Sequence, residues 1–158
     1  MKLNNSKKIL NRILKTAQIG QHEIYNMANY AVSPNLRSAL KKQLIEYGQI
    51  EFDAGMLACQ RGWDLQETDP VMRYFCGLYS RIGLRHKQSD PRIVVRMIHR
   101  NNRDMAIENH SINQLPVDDE QIYILSQRLL DCLTENNRKM KHLLYPSVPN
   151  HHWHHQIP

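Results

Sequence analysis

The sequence predicts an all-α fold, an antiparallel four-helix bundle. Four long segments carry apolar residues at three-to-four spacing. Three of them open on a helix-start signal: Ser33-Pro34, Asp90-Pro91, and a capping box at Asp118. Only 6 glycines are spread along the chain and β-branched residues are sparse, which favours helix over sheet.

The first segment runs from about Ser6 to Ala31. Leu10, Leu14, Ala17, Ile24, Ala28 and Ala31 form its stripe, with Gln21 in the middle. Lys7 and Lys8 oppose the helix dipole at its start. In the second, Ser33 caps and Pro34 takes the first helical position, where no amide donor is needed. Leu40, Leu44, Tyr47, Ala54 and Ala58 mark its buried face, with Glu51 between them and within hydrogen-bond reach of Tyr47. Gly62 provides the stop, and Trp63 is expected to fold back on Leu57 or Ala58.

Asp69-Pro70 starts a short aromatic-rich helix that ends near His86, weakened by Gly77 and Gly83. Asp90-Pro91 restarts a helix through about Asn113, with Val94, Ile98, Met105 and Ile112 as its stripe and Asn101 and Glu108 inserted. In the last segment Asp118 and Gln121 make the capping box and Val117 with Ile122 a hydrophobic staple. Ile122, Leu125, Leu129, Cys132, Met140 and Leu143 continue its stripe, with Asn136 among them. After Tyr145 the chain turns to PSVPNHHWHHQIP, whose prolines cannot continue a helix. The expected division is a bundle over residues 1–145 and a His/Pro-rich tail over 146–158.

Composition narrows the function classes. The chain has 158 residues, of which 41% are hydrophobic and 23% charged, as expected of one globular domain. Its net charge of +6 comes from scattered basic residues, so a solvated surface is favoured over a nucleic-acid site. The one basic helical face, Arg96, Arg100 and Arg103, supports nucleic-acid binding only as a third reading. Cys59, Cys76 and Cys132 are odd in number and widely spaced, which argues against a disulfide framework or zinc site and suits a reducing cytosol. No signal peptide or membrane span is read, so a cytoplasmic location is expected.

Polar residues inside apolar stripes are costly unless satisfied. Gln21, Glu51, Glu108 and Asn136 each lie near a helix middle, where antiparallel packing sets them at similar heights as a central polar layer. A di-iron centre in such a bundle needs Glu-x-x-His pairs, and no glutamate here has one. A hydrogen-bonded core layer, with no catalytic residue and no cofactor, is therefore the expectation. The alternative is an iron or other divalent metal held by Glu23, Glu51, Glu108 and Glu135. The tail's His151, His152, His154 and His155 form a weak chelating cluster. Tyr74, Phe75 and Tyr79 are expected as an exposed self-association surface, making a second copy or another protein the partner.

The second segment, SPNLRSALKKQLIEYGQIEFDAGMLACQRGW, resembles the second helix of small bacterial ferritin-like proteins. The spore-coat F-type proteins and uncharacterised ferritin-like families are both similar to it. The likeness continues more loosely through VRMIHRNNRDMAIENH and ILSQRLLDCLTENNRKMKHLL and spans about residues 16 to 144. It implies an up-down-down-up bundle whose long crossover, between Gly62 and Pro91, carries the short extra helix. In spore-coat relatives the position of Gln49 often belongs to a Glu-His pair, whereas here Glu46 is followed by Gln49. The resemblance thus implies a structural or interaction protein associated with sporulation or the spore coat, rather than a metal enzyme.

Overall fold

The computed structural model describes residues 2–65, 90–115 and 117–145. These form four helices: α1 (Lys2–Ala28), α2 (Pro34–Gln60), α3 (Asp90–Gln114) and α4 (Glu120–Leu144). The described residues contain no strand, and the helices pack into an all-α bundle. The expected crossover helix after Asp69-Pro70, with Tyr74, Phe75, Cys76 and Tyr79, lies outside the described residues, as does the histidine tail.

Local chemistry explains most of the boundaries. α1 begins at Lys2 rather than near Ser6, with no acidic residue in its first turn. Buried Ser6, Ile9, Leu10 and Ile13 hold its early turns, so packing supplies what capping does not. Ser33 caps α2 as expected, its hydroxyl accepting the Leu36 N–H at 3.4 Å. At the other end Gly62 takes φ 63°, and the Trp63 and Gly62 N–H groups bond the carbonyls of Ala58 and Cys59 at 2.9 and 3.1 Å. That pattern closes the helix and folds Trp63 onto the core's edge.

Asp90-Pro91 opens α3 as expected, and the Asp90 carboxylate accepts the N–H groups of Val32 and Ser33 at 2.8 and 2.7 Å, tying α3 to the α1–α2 turn. One expected cap is corrected. α4 is capped by Asp119, not Asp118. Asp119 has extended backbone and accepts from the Gln121 and Ile122 N–H groups, while the Gln121 side chain accepts from Arg61 instead of closing a capping box.

Cross-helix contacts fix the directions. Gln18 meets Glu51 and Tyr25 lies beside Leu44, so α1 and α2 are antiparallel. Arg128 meets Asp53 and Asn136 meets Glu46, so α2 and α4 are antiparallel. Arg12 meets Glu108 and Glu23 meets Arg100, so α1 and α3 are antiparallel. Thus α1 and α4 run one way and α2 and α3 the other. α2 ends beside the start of α4, where Arg61 binds Asp119, whereas α3 starts at the opposite end. α2 thus ends and α3 begins at opposite ends of the bundle.

The core gathers Ile9, Leu10, Ile13, Ile24, Met27, Leu36, Leu40, Ile50, Ile93, Met97, Ile122, Leu129, Leu133 and Met140, all fully or nearly fully buried. Burying each of these large side chains contributes about 1.5–3 kcal/mol. The inward face of α2 is rotated from the expected stripe. Leu36, Leu40, Gln43, Tyr47, Ile50, Ala54 and Ala58 are buried, while Leu44 and Glu51 fall at the seam with α1.

Candidate functional site

The bundle does contain a polar centre, built mostly from residues that the apolar periodicity does not single out. Arg100 of α3 is 4% exposed and reaches across to α1, where it bonds Glu23 and points at the Thr16 and Ile19 carbonyls. It also bonds Asp104 one turn along its own helix at 3.1 Å. Its guanidinium lies 5.7 Å from the centroid of the Tyr47 ring. Burial opposes its charge, but Tyr47, Glu23 and Asp104 more than compensate and hold its pKa above the ordinary arginine value. Burial likewise drives the Tyr47 phenol well above its usual range, against the opposing pull of Arg100.

Gly20 makes this packing possible. A Cβ there would stand 2.6–2.9 Å from three carbons of the Tyr47 ring. The Tyr47 hydroxyl accepts from Gln43 Nε2 at 3.3 Å, so it does not bond Glu51 as the one-turn spacing suggested. The same Gln43 amide donates to Asn101 Oδ1 at 3.1 Å. Gln43 Oε1 and Asn101 Nδ2 remain buried without a hydrogen-bond partner.

The four residues expected to form one layer, Gln21, Glu51, Glu108 and Asn136, are instead dispersed. Gln21 of α1 bonds Glu51 of α2 at their shared seam, and both are only half-buried. Glu108 is buried between α1, α3 and α4, gripped by both arms of Arg12 at 2.9 and 3.0 Å and by the Ser126 hydroxyl. Asn136 of α4 donates to Glu46 of α2 at 3.2 Å, beside Cys132. Burial, reinforced by the Glu46 carboxylate, pushes the Cys132 thiol up to about 12, which keeps it protonated. Height as well as angle separates them: Glu108 is level with Ser126, about 15 Å along α4 from Asn136, while Gln21 and Glu51 share the α1–α2 seam.

The alternative metal set, Glu23, Glu51, Glu108 and Glu135, does not converge either. Glu23 is taken by Arg100 and Glu108 by Arg12. Glu135 turns to solvent, where hydrogen bonding to Arg138 and Lys139 lowers its pKa to about 2. Among the described residues, no three His, Cys, Asp or Glu side chains gather as a metal would require. The expected basic face is also divided. Arg100 is buried, whereas Arg103 is 61% exposed and paired with Asp104.

One surface feature stands apart. Along the α1–α2 seam, two openings of about 400 and 600 Å³ meet at Gln18 and Glu51. The first is walled by Gln21, His22, Tyr25 and Leu44. The second is walled by Leu14, Phe52, Gly55, Met56, Trp63 and Leu65. Phe52 and Met56 are 66% and 46% exposed, and Tyr25 is 64% exposed. Gln18 Nε2 donates to Glu51 at 3.0 Å, and the Gln21 amide binds its other oxygen. Two neutral amides thus hold a carboxylate at the middle of a largely apolar trough. Glu51 was singled out from the sequence; the trough was not, because Phe52 and Met56 lie outside any buried stripe.

No helix of the described residues is long and apolar enough to cross a membrane. No protein-family model, curated protein or solved structure matches the chain.

Proposed function

We propose that this chain is a non-catalytic interaction protein of ferritin-like architecture that engages another protein through its α1–α2 face. The observation that carries the reading is the contrast between its carboxylates. Glu23 and Glu108, which a buried metal centre would need, are paired with arginines, while the trough around Glu51 is open and flanked by exposed Phe52 and Met56. The helix directions, with α1 and α4 opposed to α2 and α3, support the ferritin-like part. A cytoplasmic location follows from the odd number and wide spacing of the cysteines, and association with the spore coat from the resemblance of the second helix.

Elemental analysis of untagged protein produced with iron in the medium tests the reading. Iron well below one atom per ten chains is expected. Stoichiometric iron would replace the interaction role with metal chemistry at carboxylates.

A further inference from the structure

We infer that the α1–α2 trough receives an amphipathic helix of a partner protein, and that one lysine or arginine of that helix pairs with Glu51. The inference rests on the interaction reading above and names the chemistry of the partner.

Charge carries the first step. Glu23, Asp53, Asp104, Glu108, Asp119 and Glu135 each pair with an arginine. Glu51 has amide donors only, and no cation partners it among the described residues. Glu46 also lacks an arginine, but Cys132 and Asn136 of α4 bond it. Among the described residues that line the trough, Glu51 is the one acid, and two amides orient it at the open surface. Glu51 is thus a negative charge at an open surface that a cation can pair with.

Shape carries the second step. The lining of the trough extends along α2 from Leu44 to Cys59, a rise of about 22 Å or four helical turns. It is open along that length, so a small molecule would keep one side in water, whereas ligand pockets bury most of their ligand. Two antiparallel helices instead offer a ready groove for a third, with anchors at helical spacing. Phe52, Met56, Trp63 and Leu65 receive apolar anchors at one end, while Gln21 and His22 face the polar edge at the other. The Gly55 face is bare, since an added Cβ would meet nothing within 4 Å.

The test uses the full chain with Trp153→Phe, which leaves Trp63 as the single reporter of the two tryptophans. The probe is a synthetic helical peptide of about 18 residues, leucine on one face with one central lysine, and its twin carries norleucine in place of the lysine. Titration with the lysine peptide should shift Trp63 emission, and Glu51→Gln should weaken that peptide about tenfold while leaving the norleucine twin within about twofold. Met56→Asp should weaken both peptides.

Three results would overturn the inference. One is no binding of the lysine peptide. Another is binding that is indifferent to Glu51→Gln, which removes the cation pairing while the interaction role stands. The third is a dimer in light scattering that Met56→Asp dissolves, which would make a second copy the occupant. Failure of the interaction reading itself is read separately, from iron content.

Discussion

Arg100 shows how a single residue can set the character of a core. Its charge is removed from water, and it is tolerated because Glu23, Asp104 and the Tyr47 face surround it. Deleting the cation would strand Glu23 and leave Asp104 with only the exposed Arg103. Arg100→Ala is expected to destabilise the fold by about 3–5 kcal/mol in guanidinium denaturation, far more than an exposed arginine would. The glycines give a second contrast at this scale. Gly20→Ala forces the Tyr47 ring to move, costing about 1–3 kcal/mol against a helix-propensity gain near 1. Gly55→Ala meets nothing and should stabilise by about 0.5–1 kcal/mol. Thermal melts of the two variants should therefore shift in opposite directions. Neither Arg100 nor Gly20 is legible as a core residue in the sequence. A mid-helix arginine reads as surface, and the need for glycine arises only when an aromatic ring from another helix arrives.

At the scale of elements, the sequence was informative where the chemistry is local. Ser33-Pro34 and Gly62-Trp63 give both ends of α2, and the apolar periodicity gives the existence of all four helices. It was least informative about which polar groups turn inward. Gln43 and Glu51 lie about 80° apart around α2, and only the positions of α1 and α3 decide that Gln43 is buried and Glu51 rests on the seam. The cap of α4 moved by one residue for a similar reason. Asp119 is the residue that also reaches Arg61 of α2, at 2.8 Å for its second contact.

This clasp has a defined pH dependence. Burial raises the Asp119 carboxyl, but Arg61 and the Ile122 and Gln121 N–H groups outweigh it and leave its pKa below the ordinary 3.8. A lowered acid pKa contributes stability that is fully present above 3.8 and lost as the pH falls through the folded-state value. Asp119→Asn keeps a capping oxygen but loses the charge. The wild type should therefore be more stable than the variant by about 0.5–1 kcal/mol near pH 6, and the difference should vanish toward pH 2, as read from urea unfolding at each pH.

For the whole molecule, the bundle combines a continuous apolar core with a polar centre that is only partly satisfied. Gln43 Oε1 and Asn101 Nδ2 have no partner, so the amide pair fixes how α2 and α3 meet at some expense of stability. Replacing one amide strands the other, and Gln43→Leu or Asn101→Leu alone should each destabilise by about 1–3 kcal/mol. The double leucine variant should recover part of that loss and be more stable than either single, the remainder reflecting the Tyr47 hydroxyl, which loses its Gln43 donor. A double variant no more stable than the singles would show that the amides contribute more than their unmet atoms suggest.

The opposed directions of the helices have one more consequence. Because α1 and α4 point the same way, Lys2 and Leu144 stand at opposite poles, separated by about 40 Å of helix. Fluorophores or fusion domains placed at those two positions would be held apart by a stiff rod, and rejoining the poles by permuting the chain would take at least about a dozen extended residues.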